Sequence, residues 1–322
     1  MNIFRVLFIS LAIVFLGLSM YIYSEFKSLL NTLDSRGDGE NIGVSNVWQQ
    51  QESLDNSFTW IGHATIYLNL DGVNVLFDPI FSERSSPVSF IGPKRIIPPA
   101  IDIKNLPKID KVFISHNHYD HLDIPSLRQL QESNKDIIFY VPMGDQKLLL
   151  RKGLSNVREL NWWDEIVDKN LQIVFFPVKH WSARGFFDKK ASLWGGWYLK
   201  SNNYTVAHFG DTAYDDRFIK FPEFMQNLDL AFIPIGSYAP REVEMEHHVN
   251  PEEAVKIYND LNIQYAYGIH WGTFFLSKED LYEPPALIKN LAASPVAIFP
   301  AIISTSANFF LISLIVCKTD LV

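Results

Sequence analysis

The middle of the chain alternates two patterns of apolar positions. Short apolar runs bounded by Gly, Pro, Asn or Asp predict strands, and runs with apolar residues every three or four positions predict helices. The predicted strands cover residues 58–70, 73–77, 111–115, 137–141, 157–160, 171–178, 194–199, 204–209, 230–235 and 265–269. The predicted helices cover residues 125–133, 145–152 and 251–261. This alternation predicts an α/β fold with layers of helices and sheets.

Local signals at the ends of these elements support the assignment. Asp71-Gly72 is a strong hairpin turn between two of the predicted strands, and Asn202-Asn203 favours a turn between two others. Asn250 has the character of a helix N-cap, since Pro and Glu residues follow it in the first turn.

Both ends of the chain depart from this pattern. Residues 6–23 are uncharged and apolar, long enough to span a bilayer, and no small-x-small cleavage site follows. An uncleaved N-terminal anchor is therefore favoured over a signal peptide, with the main domain on the non-cytoplasmic side. Residues 296–316 lack charge and leave three alternatives: a second spanning helix, two buried strands or an aberrant end to the reading frame. The predicted organisation is an anchor (1–33), a linker (34–57), a folded domain (58–294) and an apolar tail (295–322).

Composition and charge exclude several classes of protein and of site. At 322 residues, with 48% hydrophobic and 20% charged residues, the chain can bury a sizeable core. A net charge of −8 and the lack of a basic run argue against a nucleic-acid partner. The single cysteine, Cys317, excludes an internal disulfide and a cysteine-rich structural zinc site.

The highest concentration of candidate metal-binding residues lies directly after the predicted strand 111–115. His116, His118, Asp120 and His121 fall in one short loop, and the first two point to the same side of an extended backbone. Asp120 and His121 lie past the turn and reach a second position. Imidazole and carboxylate without a nearby thiolate favour zinc, with iron or manganese as alternatives. The loop therefore predicts two adjacent metal ions.

Three further ligand-type residues end later strands: His180, Asp211 and His270. Taken singly, each also fits a core or capping role, but a sheet can bring such strand ends to one edge. The prediction places one metal on His116, His118 and His180. It places the second on Asp120, His121 and His270. Asp211 is predicted to bridge the two metals. Asp120 and Asp211 are the candidate catalytic carboxylates.

Two polar residues in the first hairpin are predicted to orient this set. His63 follows Gly62 inside the predicted strand 58–70, and Asp78 ends the return strand. Either residue is suited to hold the ring of a metal-binding histidine.

Motifs inside and outside the site carry a family resemblance. They are Trp60-Ile-Gly-His-Ala-Thr65, Asp78-Pro-Ile-Phe-Ser-Glu-Arg84, Gly92-Pro-Lys-Arg95, Ser115-His-Asn-His-Tyr-Asp-His-Leu-Asp123, Trp194-Gly195, Gly210-Asp-Thr212, His248-Val-Asn-Pro-Glu-Glu-Ala254 and Ile269-His-Trp-Gly-Thr-Phe274. Across residues 58–285 the chain resembles the metallo-β-lactamase superfamily and, more closely, its N-acyl-phosphatidylethanolamine-hydrolysing phospholipase D branch. The resemblance implies a four-layer αβ/βα sandwich and two zinc ions. It also implies that His248, with the nearby Tyr238, contacts the phosphate region of a lipid substrate.

The expected function is zinc-dependent cleavage of a phosphodiester in N-acyl-phosphatidylethanolamine or a related phospholipid. A hydroxide shared by two metal ions would attack phosphorus. The expected partners are the phospholipid and the membrane. Two alternatives remain open: a lactonase or other ester or ring-opening hydrolase using the same site, and a membrane-tethered metal-binding protein without catalysis.

Aromatic residues after position 160 leave two interpretations open. They are Trp162, Trp163, Trp181, Phe186, Phe187, Trp194, Trp197 and Trp271. Such side chains can form an acyl groove or an interfacial surface, but large aromatic residues more often fill cores.

Overall fold

The computed structural model describes residues 56–291 and 298–299, together with positions 20, 24 and 27. The strands in chain order are β1 Ser57–Gly62, β2 Thr65–Leu70, β3 Val73–Phe77, β4 Lys111–Phe113, β5 Ile138–Pro142, β6 Val157–Leu160, β7 Glu165–Asp168, β8 Leu171–Phe176, β9 Gly196–Lys200, β10 Thr205–His208, β11 Leu230–Pro234, β12 Tyr265–Ile269 and β13 Ile298–Phe299. The α-helices are α1 Ile124–Ser133, α2 Gln146–Arg151, α3 Arg241–Glu244, α4 Pro251–Asp260 and α5 Glu283–Leu291. Short 3-10 helices occur at Ile103–Asn105, Asp216–Lys220 and Glu223–Met225.

These strands form two sheets. The first has the order β1-β2-β3-β4-β5-β6, with an antiparallel N-terminal half and parallel pairs from β3 to β6. The second has the order β13-β12-β11-β10-β9-β8-β7, with parallel pairs from β13 to β10 and antiparallel pairs beyond. The predicted mixed α/β class is therefore confirmed, with two sheets.

Three apolar cores hold the sheets and helices together. One cluster combines side chains of both sheets, including Phe77, Phe113 and Trp197. A second packs the first sheet against α1 and α2, and a third packs the second sheet against α4 and α5. The edge where β4, β10 and β12 end is thereby supported by close-packed elements on each side. This rigid edge carries the functional site.

The predicted hairpin and cap signals are confirmed. β2 and β3 pair across Asp71-Gly72, and β9 and β10 pair across the turn at Asn202-Asn203. At the start of α4, the Asn250 side chain accepts a hydrogen bond from Glu253 N at 2.9 Å, and Asn250 N donates to the Glu253 carboxylate at 3.2 Å. This reciprocal pair satisfies two backbone donors of the first turn.

Two strand predictions were wrong. A single strand was expected over 58–70, but the chain reverses at His63-Ala64 and gives the antiparallel pair β1 and β2. Gly62 has φ +132° and His63 has φ +55°, which allows this tight reversal. The strand β7 was missed because it is short, lies at a sheet edge and alternates exposed with half-buried residues.

Apart from positions 20, 24 and 27, the predicted anchor lies outside the described residues, as does most of the predicted tail. From the tail, β13 pairs in parallel with β12. Across residues 56–291 and the other described positions, no helix has the length and apolar character needed to cross a membrane. The expected boundaries of anchor, linker and tail stay predictions.

Candidate metal centre

The loop after β4 supplies four side chains to the candidate centre. His116, Asp120 and His121 are buried, and His118 is half-buried. The loop folds back on itself, because His121 N and Leu122 N both donate to the His118 carbonyl, at 3.2 and 2.9 Å. This fold separates the first two histidines from Asp120 and His121, as the sequence predicted.

The first group of candidate ligands comprises His116, His118, His180 and Asp211, whose ligand atoms all lie within 4.8 Å of one another. His118 Nδ1 is 2.8 Å from His116 Nε2 and 3.3 Å from His180 Nε2. Asp211 Oδ2 lies 3.7 Å from His116 Nε2 and 3.6 Å from His180 Nε2. The three histidines predicted to share one metal therefore converge.

The second group comprises Asp120, His121 and His270, joined by His63. Asp120 Oδ2 is 3.4 Å from both His121 Nε2 and His270 Nε2. His63 Nε2 is 2.9 Å from the same carboxylate oxygen. The sequence predicted the first three as ligands and His63 as an orienting residue, and the structure brings all four together.

Asp211 lies between the two groups. Besides its contacts to the first group, its Oδ1 is 3.0 Å from His270 Nε2 and its Oδ2 is 3.2 Å from His121 Nε2. A carboxylate in this position can hold both groups at once. The sequence predicted Asp211 as the bridging ligand, and its two oxygens contact histidines of both groups.

Hydrogen bonds at the outer nitrogens orient the rings. His121 Nδ1 donates to Asp78 Oδ2 at 2.8 Å, and His180 Nδ1 donates to the His247 carbonyl at 2.9 Å. His116 Nδ1 lies 3.0 Å from Ser115 Oγ, whose hydroxyl donates to Asp78. Each of these contacts engages Nδ1 and leaves Nε2 facing the inner side of the cluster, as the nitrogen that would bind a metal.

The pKa shifts divide the cluster in two. Burial lowers the pKa of His116 and His180 well below the ordinary value and that of His118 to about 4. For His270, burial lowers the pKa, but Asp211 and Asp120 outweigh it and raise the pKa to about 9. The first three rings are neutral at neutral pH and ready to bind metal. Burial likewise lowers the pKa of His121, but Asp211, Asp120 and Asp78 outweigh it and raise that pKa well above its ordinary value. Metal binding by His270 and His121 therefore has to release protons.

Burial and charge act on the carboxylates in the opposite sense. Burial raises the pKa of Asp120 and Asp211, but His121 and the other nearby imidazoles outweigh it and hold both pKa values well below the ordinary range. Both side chains are therefore ionised. Because ionised Asp120 only accepts, His63 donates to it from Nε2.

The donor set fits a pair of metal ions. Within the described residues, His121 Nε2, His270 Nε2 and Asp211 Oδ1 are buried without a well-oriented hydrogen bond. Such atoms are costly unless a ligand satisfies them. Tetrahedral coordination with bonds of about 2.0–2.2 Å places ligand atoms about 3.3–3.6 Å apart, which is close to most of the separations given above. The cluster is compatible with a dinuclear metal site.

The two residues expected to contact substrate lie in different settings. The His248 ring is 5.1 Å from that of His180 and 5.4 Å from that of His270, and its Nδ1 is 4.0 Å from Asp211 Oδ2. Tyr238 is buried and its hydroxyl donates to Glu283 at 2.7 Å. His248 therefore borders the cluster directly, while the Tyr238 hydroxyl is used within the protein.

Two supporting residues were not predicted. Ser115 uses its backbone N–H and its hydroxyl to bind the two carboxylate oxygens of Asp78, at 2.7 and 2.6 Å. Thr273 Oγ1 accepts from His63 N at 2.6 Å and so fixes the turn between β1 and β2. Both residues lie within the motifs Ser115–Asp123 and Ile269–Phe274, which is the signal that could have identified them.

Gly210 allows the Asp211 loop to approach the β4 loop. Its φ is +59°, and a Cβ there would lie 2.4 Å from Ser115 Cβ. We expect Gly210→Ala to lower the free energy of unfolding by about 1–3 kcal/mol beyond its backbone strain, because the overlap forces Ser115 away from Asp78. Urea denaturation of metal-free protein measures the change.

Gly153→Ala is the matched control. Gly153 also has a positive φ, +85°, but nothing lies within 4 Å of its added Cβ. It carries only the backbone strain of a left-handed residue, about 1–2 kcal/mol. Equal destabilisation by the two substitutions would contradict the packing argument.

Comparison with known proteins adds evidence of common descent. Residues 73–271 match the beta-lactamase superfamily domain. The N-acyl-phosphatidylethanolamine-hydrolyzing phospholipase D 1 of Caenorhabditis elegans is 38% identical over 244 residues, covering 72% of this chain and 68% of the worm protein. The mitochondrial enzyme with the same activity name from Saccharomyces cerevisiae is 38% identical over 242 residues, covering 73% of this chain and 51% of the yeast protein. The chain thus spans about half the length of the yeast relative.

A solved structure shares the fold. The isothiocyanate hydrolase from Delia radicum gut bacteria superposes with a TM-score of 0.61 at 18% identity, covering 78% of this chain and 98% of that protein. At this identity the likeness shows a common architecture alone.

Proposed function

The chain is a metal-dependent hydrolase that belongs to the beta-lactamase superfamily, and we propose that it cleaves the phosphodiester bond of N-acyl-phosphatidylethanolamine or a related phospholipid. The products would be a phosphatidic acid and the free head-group alcohol. The observation that carries the proposal is the pair of ligand groups joined by Asp211. The choice of substrate is supported by the names of the worm and yeast relatives.

Two zinc ions are the proposed metals. His116, His118 and His180 would hold one, Asp120, His121 and His270 the other, and Asp211 both. The bound metals would lower the pKa of the attacking water and neutralise the charge of the phosphodiester. Imidazole and carboxylate ligands without thiolate suit zinc, and iron or manganese are accommodated by the same donors.

The protein's own groups would orient the reaction. Ionised Asp120, fixed by the hydrogen bond from His63, would accept a hydrogen bond from the attacking water. His248 would bind a phosphoryl oxygen, since its ring borders the cluster between His180 and His270. Burial lowers the pKa of His248 to about 4, so it would act as a neutral hydrogen-bond donor. Tyr238 would shape the wall beside it.

We also propose an arrangement of the structural layers and a role for the N-terminus. The two sheets and their flanking helices would form the four-layer αβ/βα sandwich. Residues 6–23 would anchor the chain in a membrane, with the catalytic domain on the non-cytoplasmic side. Such an anchor would keep the site close to its lipid substrate.

Hydrolysis in water labelled with oxygen-18 tests the proposal. Attack on phosphorus places the label in phosphatidic acid and leaves N-acylethanolamine unlabelled. The products of zinc-loaded protein and N-acyl-phosphatidylethanolamine are analysed by mass spectrometry, which shows which of the two products carries the label. His118→Ala serves as the inactive control, since it removes a nitrogen of the first group.

Other product patterns would overturn the assignment. Label in a released fatty acid would show attack on an acyl carbon. Hydrolysis of lactones with no cleavage of any diester would favour the ring-opening alternative. A stoichiometry of about two zinc ions without hydrolysis of either substrate class would favour a metal-binding protein without catalysis.

A further inference from the structure

Two neighbouring phenylalanines project fully into solvent beside the candidate metal centre. Phe186 and Phe187 are 99% and 102% exposed, whereas most large aromatic residues in the described part of the chain are buried or half-buried. Exposure of one apolar side chain is ordinary, but two adjacent phenyl rings at a loop tip are costly in water. The two rings therefore indicate a surface that becomes buried against a binding partner.

The loop that carries them, residues 182–192, is well braced. Asp188 accepts hydrogen bonds from Arg184 N and Gly185 N, at 3.1 and 2.8 Å. The loop is closed at its base by the bond from Lys190 N to the Ser182 carbonyl at 2.7 Å. The two phenyl rings are therefore presented from a fixed turn, so little ordering entropy opposes their burial in a partner.

The same loop is tied to the metal-binding loop. The Arg184 guanidinium donates to the Asn117 and Leu122 carbonyls at 2.9 and 2.8 Å. At the start of the loop, the Trp181 ring centroid is 4.4 Å from that of His118. The exposed phenyl rings thus stand at the rim of the centre.

Positive charge adjoins the two rings. Lys189 and Lys190 are exposed, and their ammonium groups lie 4.4 Å and 5.7 Å from the ring centroids of Trp181 and Trp194. The one acidic residue of the loop, Asp188, is engaged by backbone N–H groups. Apolar rings beside lysines match the acyl and phosphate levels of a lipid interface, where long basic side chains reach the head groups.

We propose that residues 182–192 form an interfacial docking loop, in which Phe186 and Phe187 enter the acyl boundary of a bilayer while Lys189 and Lys190 contact lipid phosphates. The inference rests on the proposed function, because docking on a bilayer brings the centre to its substrate only if that substrate is a membrane lipid. Docking at this loop places the centre next to the phosphodiester of a lipid still seated in the bilayer.

A site-specific fluorescence measurement on the full chain tests the docking step without catalysis. In a Cys317→Ser background, Phe187→Cys is labelled with an environment-sensitive fluorophore and mixed with phosphatidylcholine vesicles, with or without phosphatidylglycerol. We expect a blue shift and stronger emission, larger with the anionic lipid. Val167→Cys is the matched control, because Val167 is 72% exposed on the edge strand β7. Its neighbour Asp168 contacts Lys111 at the start of β4, whereas the metal-binding loop follows the end of β4. The label at position 167 should not respond.

A kinetic measurement complements the label. We expect the double variant Phe186→Ser, Phe187→Ser to raise the apparent KM for lipid in vesicles at least about tenfold, since burial of one phenyl ring is worth at least that factor. Its turnover of a soluble short-chain phosphodiester should equal that of the wild type. The double variant Lys189→Gln, Lys190→Gln should reduce only the extra fluorescence response that phosphatidylglycerol causes, and should leave the response to phosphatidylcholine vesicles unchanged.

The outcomes separate the two proposals. A label at position 187 that ignores vesicles, or that responds no more than the label at position 167, overturns the docking loop. A change that appears with protein concentration instead of vesicles identifies a protein interface and also overturns it. A vesicle response in a protein that hydrolyses no phosphodiester supports the docking loop and overturns the proposed function.

Discussion

Asp211→Asn is expected to lower hydrolysis of the phosphodiester by at least about a thousandfold, the largest loss that a single substitution should cause. Asp211 contacts both ligand groups: its oxygens lie 3.6–3.7 Å from His180 and His116 and 3.0–3.2 Å from His270 and His121. Asparagine keeps the shape but offers a neutral oxygen and an amide that cannot bind a cation. The two groups would therefore lose their shared anionic ligand.

Metal content and turnover must be measured on the same preparation. We expect zinc bound per chain to fall from about two towards about one, and kcat to fall while circular dichroism stays unchanged. Asp216→Asn is the control, because Asp216 follows Asp211 closely in the sequence but its side chain is 85% exposed. Near-normal turnover of Asp211→Asn at a quantified metal content would refute the bridging role.

The candidate ligand set could be predicted because each of its residues lies in a loop that directly follows a recognisable strand. Apolar runs locate β4, β10 and β12, and the polar residue that follows each run falls at the shared edge of the sheets. His180 follows β8 by the same logic. The predicted grouping into two sets joined by Asp211 rests on no more than this edge and the spacing of the loop.

Other features depend on tertiary contacts that no local pattern encodes. The reversal at Gly62-His63 interrupts an apolar run that reads as one strand, and only its packing against Thr273 distinguishes a turn from a strand. Aromatic composition likewise cannot separate buried Trp197 from exposed Phe187. The difference in exposure arises from what packs around each residue.

Asp78→Asn is expected to have the second-largest effect, through the hydrogen bonds beneath the centre. The buried Asp78 carboxylate accepts from Ser115 N at 2.7 Å, Ser115 Oγ at 2.6 Å and His121 Nδ1 at 2.8 Å. Asparagine keeps one accepting oxygen and turns an amide donor towards the Ser115 hydroxyl and the His121 ring. We expect the metal-free protein to lose about 3 kcal/mol of unfolding free energy.

The same substitution should weaken metal binding beyond its effect on folding. Without the acceptor at its Nδ1, the His121 ring loses both its fixed tautomer and its orientation, and zinc affinity should fall about 10–100-fold. Titration calorimetry on folded protein measures this loss, and urea denaturation with chelator measures the stability. Asp136→Asn is the control, since that side chain is 89% exposed. Destabilisation with unchanged zinc affinity would show that Asp78 supports the fold alone, because a residue that orients His121 has to affect both quantities.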